Sequence, residues 1–278
     1  DSVASRGLGD VYKRQPTFLR LWRLPRYFAG MDPMRVFYTL SFPRTAALLL
    51  ALVLIGPVLA ARAQSEAIKA RFVVLGPDGH AVARVITSNP TCPLLTIDQK
   101  PQAMQLRAAA ETVPQRPTRS KPDDSKPSAF PVTVCELPLG DDVKALSLNG
   151  TPLPLPVKNP QNIIVIGDTG CRLKLSDNAF QPCNDPQNWP FQRVADSAAR
   201  LKPDLVIHVG DLHYRENACP LDNAGCQGSP WGYGYDTFEA DFFTPASALL
   251  AAAPWVFVRG NHESCERAGQ GWWRFFDP

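Results

Sequence analysis

At 278 residues, with 45% hydrophobic and 20% charged side chains, the chain is neither a disordered segment nor a small disulfide scaffold, and it can bury a sizeable core. Its formal charge of +3 is unevenly placed: residues 1–63 hold nine Lys/Arg against three Asp/Glu, which leaves 20 basic and 23 acidic residues after them. The basicity therefore belongs to the leader, and nothing in the remainder argues for nucleic-acid binding.

Residues 1–30, with the stretch Arg6–Gln15, resemble translated adaptor sequence and are set aside as a non-native upstream segment. Residues 31–63 then read as a signal peptide. Met31 is followed by Arg35 and Arg44, an apolar run from Ala46 to Ala60, and Ala61-Arg62-Ala63 as a small-x-small cleavage site. The run is shorter than the ~20 residues of a spanning helix and is interrupted at Gly56-Pro57. A secreted or periplasmic protein starting at Gln64, with no stable membrane anchor after cleavage, is expected. Seven cysteines without CxxC spacing read as disulfides in an exported chain. Proximity suggests Cys171–Cys183, Cys219–Cys226 and Cys92–Cys135, with Cys265 left over.

From residue 64 to 160 the pattern is short and strand-like. Arg71–Leu75, Ala81–Thr87, Pro93–Ile97, Met104–Ala108, Pro131–Leu137 and Ala145–Leu148 are candidate strands separated by turn signals. This predicts a small β-sandwich domain, fibronectin III-like in layout, with residues 111–128 as a mobile Pro/Lys/Ser-rich loop. Thr151–Gln161 reads as a Pro-punctuated linker.

Beyond it the texture changes. Strands are predicted at Asn162–Ile166, Asp204–Val209 and Trp255–Val258. A helix is predicted from about Pro190 to Leu201, with Val194, Ala198 and Leu201 on one face, and another from about Thr237 to Ala252. This β-α-β-α-β order implies parallel strands with right-handed crossovers.

Each strand is followed by a polar block: Gly167-Asp168-Thr169-Gly170, Gly210-Asp211-Leu212-His213-Tyr214 and Gly260-Asn261-His262-Glu263. In open α/β sheets, ligands collect beyond the carboxyl ends of the strands. Three strands ending in Asp, Asp/Tyr and Asn/His therefore aim oxygen and nitrogen donors into one crevice, as a metal site requires.

These blocks resemble the first three signatures of the calcineurin-like metallophosphoesterases, and more narrowly those of the purple acid phosphatase branch. Gly170 stands where the wider superfamily places a metal-binding His, and Tyr214 sits at the spacing of that branch's tyrosine ligand. The resemblance implies an α/β metallophosphoesterase-type layered sandwich, incomplete here, preceded by the small all-β sandwich domain. Residues 161–278 would be the N-terminal part of its catalytic domain. It further implies Asp168, Asp211 and Tyr214 on a first metal, Asp211 and Asn261 on a second, and His262 as the catalytic group that meets phosphate and the leaving oxygen. Glu263 is expected to orient its neighbours.

The implied cofactors are two metal ions, Fe(III) with Fe(II), Zn(II) or Mn(II). A bridging hydroxide on this centre would attack a small phosphate-ester substrate. His213 reads as a solvent-facing loop residue, and His208 as a core histidine. The loop pinned by Cys219–Cys226 is the candidate specificity element.

The further His blocks that the resemblance implies do not occur after His262, so the chain is expected to be a fragment, weakly metallated and inactive alone. Phosphomonoester hydrolysis is the leading reading. A phosphodiesterase or nucleotidase on the same scaffold, or a non-catalytic binding module, are the alternatives. The sequence does not indicate an oligomeric state.

Overall fold

The computed structural model describes residues 67–278. The upstream segment 1–30 and the leader 31–63 lie outside the described residues. No helix among the described residues is long and apolar enough to cross a membrane.

The front segment supplies β1 (Ile68–Leu75), β2 (Ala81–Thr87), β3 (Leu94–Ile97), β4 (Lys100–Ala103), β5 (Gln105–Ala108), β6 (Glu111–Val113), β7 (Ser128–Phe130), β8 (Thr133–Pro138), β9 (Leu146–Leu148) and β10 (Thr151–Pro152). The rest supplies β11 (Ile163–Ile166), the short hairpin β12 (Leu173–Lys174) and β13 (Ala179–Phe180), then α1 (Phe191–Arg200) and β14 (Leu205–His208). It continues through α2 (Tyr235–Phe238), α3 (Ser247–Leu250), β15 (Trp255–Phe257) and α4 (Gly269–Phe275).

One seven-stranded sheet runs in the order β11-β14-β15-β1-β2-β8-β5. Its β11, β14 and β15 are parallel, as the β-α-β order predicts. The sheet does not stop where the front segment begins, because β1 pairs with β15 in parallel through Val74 and Trp255. Strands β10-β9-β3-β4 form a second sheet whose apolar side chains pack against the front strands of the first. Those front strands are continuous with the α/β strands in one sheet, so the change at 160/161 is one of sequence texture.

Period-two alternation explains how. In β1, Phe72 and Val74 face the helices while Val73 faces the second sheet. In β2, Ile86 joins the helix side, while Ala81, Ala83 and Val85 join the sandwich side. Strands buried on both faces read as continuous apolar runs. On the helix side, Phe72, Phe238, Phe242, Phe243, Trp255, Phe257, Phe275 and Phe276 form one aromatic cluster.

Three predicted features change. The α1 face that packs inward is Phe191, Ala195 and Ala198, and Val194 and Leu201 stay exposed. The second predicted helix is broken. After α2 the chain widens into a π-type turn at Glu239–Phe243 before α3, which drives Asp241 into the interior. The loop 111–128 is not free, either. It opens and closes on the β6–β7 ladder, and Arg116 donates to the carbonyls of Cys265 (2.5 Å) and Arg267 (2.6 Å). Asn217 Nδ2 donates to Ser120 Oγ and to the Asp124 carbonyl, both at 3.1 Å. It is a tethered strap. Composition showed that it has little to bury, but not that its backbone and arginines would find partners across the crevice.

All three proximity-based disulfides are present, Cys92–Cys135, Cys171–Cys183 and Cys219–Cys226, and Cys265 is an exposed free thiol.

Candidate metal centre

The three blocks meet at the carboxyl ends of β11, β14 and β15. Blocks one and two run side by side: Asp168 N–H donates to the Gly210 carbonyl and Thr169 N–H to that of Asp211, both at 3.1 Å. Asp168 (φ 52°) and Asp211 (φ 59°) both adopt the left-handed conformation, which Asp tolerates better than most residues. That sharp turn lifts each carboxylate into the crevice.

Tyr214 Oη donates to Asp168 Oδ1 at 2.5 Å and lies 3.2 Å from Asp211 Oδ2. Burial first, then the two carboxylates, push the Tyr214 phenol well above its ordinary range. The phenol proton thus sits between two anions, in the place a cation would take, and a cation there would reverse the shift.

Asn261 completes the group. Its amide lies 3.0 Å from Asp211 Oδ2 and 2.9 Å from Arg267 Nη1. Turned one way, it donates to the carboxylate and accepts from the guanidinium. Turned the other way, its oxygen faces a carboxylate oxygen, an arrangement that a cation between the two would stabilise. Two carboxylates, a phenol and an amide oxygen make an all-oxygen donor set suited to a hard cation. A second ion would have only the shared Asp211 and Asn261. Among the described residues, no group of three or more His, Cys, Asp or Glu is placed to hold a metal.

Gly170 shows why the first block departs from Asp-x-His. A Cβ there would stand 2.8 Å from both the Leu212 carbonyl and Tyr214 N. No larger residue fits unless the backbone of the second block moves, so the glycine is fixed by the close approach of the tyrosine-bearing loop. Gly260 is as tight, because its Cβ would fall 2.2 Å from Asp211 Oδ1.

Two buried carboxylates hold these loops in register. Glu263 accepts N–H bonds from Asp211 (3.0 Å), Leu212 (2.8 Å), His213 (3.1 Å) and Gly260 (3.1 Å), which is the orienting part expected of it. Asp241, in the π-type turn, accepts from Cys171 N and Tyr214 N at 3.0 Å each and from Arg215 Nε at 2.5 Å. Burial raises both carboxyls above their ordinary range despite these donors. Sequence reading missed Asp241 and Arg215, because a lone Asp in a helical stretch gives no sign that it points inward.

His262 is buried. Its backbone N–H donates to Asp211 Oδ1 (2.9 Å), its ring centroid lies 3.9 Å from that of Tyr214, and Nδ1 stands 3.0 Å from Glu216 Oε1. Glu216 is itself gripped by Arg267 through Nη2 (2.6 Å) and Nε (3.2 Å), and by Tyr233 Oη (3.1 Å). Burial alone would raise the Glu216 carboxyl, but His262 and Arg267 bring it down to about 2. Sequence reading missed this carboxylate too.

The other histidines divide differently. His208 is a satisfied core residue: Nδ1 accepts from Gly210 N (3.2 Å) and Nε2 faces Thr169 Oγ1 (3.0 Å). Burial holds its pKa down to about 3. His213 is not solvent-facing. It is fully buried against Tyr233 and Phe238, with Nε2 on Thr237 Oγ1 at 3.0 Å. The apolar surroundings supplied by α2 draw it in. Tyr233, Tyr235 and Trp272 are likewise buried packing residues.

Residues 161–278 match the family model described as calcineurin-like phosphoesterase. Among solved structures, the chain is similar to a purple acid phosphatase isolated from yellow lupin (Lupinus luteus) seeds, at 16% identity and a TM-score of 0.40. The likeness covers 75% of this chain and 40% of that one, so the chain spans well under half of the lupin protein's length. No curated protein matches the chain. The calcineurin-like part of the resemblance read from the three blocks is thus matched over residues 161–278.

Proposed function

We propose that this metallophosphoesterase segment serves an exported hydrolase of phosphate monoesters, of the purple acid phosphatase type, with Asp168, Asp211, Tyr214 and Asn261 as metal ligands. The observation that carries the reading is the convergence of two carboxylates and a protonated phenol on one point, beside an amide whose oxygen can face Asp211. The narrower assignment rests on the coupling of Gly170 to the tyrosine-bearing loop. Export is supported by the three disulfides.

When bound, cations of this kind supply Lewis acidity toward ester oxygens and a strong nucleophile near neutral pH, with Fe(III) the natural partner of a phenolate. The chain's own residues do the positioning. Asp211 is fixed by the His262 backbone N–H, so its other oxygen stays turned toward Tyr214 and Asn261. With Nδ1 turned to Glu216, His262 keeps Nε2 for the leaving oxygen, and the carboxylate supports the charge that the ring carries when it delivers a proton.

The test is to titrate the purified chain with Fe(III) and follow the visible phenolate-to-iron charge-transfer band. Wild type should develop the band, and Tyr214→Phe should lose it at unchanged far-UV circular dichroism. Iron binding without a band, or a band that survives in Tyr214→Phe, would overturn the ligand assignment. The full gene product should release phosphate from an aryl monoester faster than it cleaves the matching diester, and the reverse order would favour the phosphodiesterase reading.

A further inference from the structure

Beside Asn261 lies a cavity of about 300 Å³ lined by Arg119, Lys174, Ser176, Asn261 and Arg267. Three of these five residues are cationic and none is a carboxylate. An adjoining cavity of about 250 Å³ shares Arg119, Lys174 and Ser176 and adds Lys121, but it also carries the carboxylates Asp124 and Glu216, so the anion is placed in the first cavity. Arg119 and Lys121 belong to the strap, Lys174 and Ser176 to the β12–β13 hairpin, and Arg267 follows the third block. Three segments far apart in sequence thus bring positive charge to one place, next to a residue that our functional reading assigns to the metal centre.

The cations are held without being used up. Arg267 spends Nη2 and Nε on Glu216, which leaves Nη1 turned to the Asn261 amide. Lys174 Nζ stands 3.5 Å from Asp177 and 4.0 Å from Glu216, within ion-pair reach but outside hydrogen-bonding distance. Arg119 pairs through Nε with Glu266 at 2.8 Å, and both side chains are about two-thirds exposed, so the pair is weakly held. The strap is tethered to the cleft's walls by Arg116 and Asn217. An electropositive wall on a tethered element, with no carboxylate lining the cavity beside Asn261, is suited to an oxyanion.

We propose that this cleft is a subsite for a second phosphate dianion, recognised by Arg119, Lys174 and Arg267, which favours substrates whose scissile ester carries another phosphate group. The subsite rests on the reading of Asn261 as part of the hydrolytic centre. Its specificity comes from the strap of the front segment rather than from the Cys219–Cys226 loop, since no residue of that loop lines the cleft. The same chemistry would accept free orthophosphate, and the test separates the two sources.

Chelator-treated protein is titrated calorimetrically with orthophosphate and with pyrophosphate at near-physiological salt. Pyrophosphate should bind, and Arg119→Ala with Lys174→Ala should weaken it at least about tenfold, the size of a lost charge-assisted contact. Glu266→Gln frees Arg119 and should tighten binding about threefold. A folding defect cannot produce gains and losses of opposite sign. Lys144→Ala, an exposed lysine of the front sandwich, should change nothing.

Pyrophosphate binding tighter than orthophosphate marks a subsite for a substrate's second group, whereas equal affinities mark a site for the free anion and overturn the substrate assignment. If the cleft variants behave like Lys144→Ala, the subsite itself is refuted. Because the titration is done without metal, it can fail while the Fe(III) band appears, or succeed while the band is absent.

Discussion

The crevice at the strand ends and the front sandwich are held together by opposite means. In the sandwich, Val73, Ala83, Val85, Leu95, Leu146 and Leu148 exclude water between two sheets, and one disulfide, Cys92–Cys135, pins the layers. Sheet hydrogen bonding already satisfies the backbone there. In the crevice the chain leaves the sheet three times and exposes backbone donors that no ladder can accept. Glu263 and Asp241 take six backbone N–H groups between them, four and two. Apolar layers tolerate small shifts, whereas a buried carboxylate with several donors permits one geometry only. The region that holds the four candidate ligands is the one built on polar cross-links.

The largest effect that would break this contrast is at Asp241. Asp241→Ala leaves Arg215 and two backbone N–H groups without their acceptor in a fully buried site, at a cost of about 3–5 kcal/mol. That is a large share of an ordinary domain's stability. Urea unfolding should show it, and at low temperature, where the variant stays folded, the Fe(III)–phenolate band should still be lost. Paired Cys92→Ser and Cys135→Ser should cost less, about 2–4 kcal/mol, and leave the band intact. If the disulfide variant also loses the band, or Asp241→Ala keeps it, the two regions are not held independently.

The same contrast decides what could be read from sequence. Ala81–Thr87 was legible residue for residue, and β3, β5, β9, β11, β14 and β15 lie within their predicted runs, because short runs holding apolar residues between turn signals read as strands. The four candidate ligands were legible because glycine-flanked polar blocks ended apolar strands. Strand β4, Lys100–Ala103, was not, since it is exposed at every residue and carries no run of apolar side chains, and it pairs with β3. The break after α2 was hidden as well, because Asp241 disturbs a helical apolar pattern at a single position. The polar groups that organise the crevice, Asp241, Arg215, Glu216 and the strap arginines, find partners far along the chain, and long-range partners leave no local signature. For the same reason the merging of two textures into one sheet through Val74 and Trp255 could not be foreseen.

The smallest effect comes from His208, which belongs to both regions, since it ends β14 inside the apolar layer yet braces the second block. Its ring meets Phe242 edge-on at 5.7 Å, and its Nδ1 accepts the Gly210 N–H. In His208→Asn the amide oxygen can occupy the Nδ1 position and keep that bond, but the ring contact and the Thr169 bond are lost. A cost of about 1–2 kcal/mol is expected at pH 7.5. Burial holds the folded pKa at about 3, against 6.5 in the unfolded chain. Below pH 6.5 the unfolded chain therefore binds a proton that the folded protein refuses, so this residue's contribution falls as pH drops from 6.5 toward 3. By pH 5 wild type should have given up about 2 kcal/mol through this group, at 1.36 kcal/mol per pH unit. The variant has no such group to titrate, so the two stabilities should converge near pH 5. Parallel stability curves from pH 7.5 to 5, measured by urea unfolding, would mean that His208 is charged or solvated in the folded protein and that the apolar layer does not seal the base of the second block.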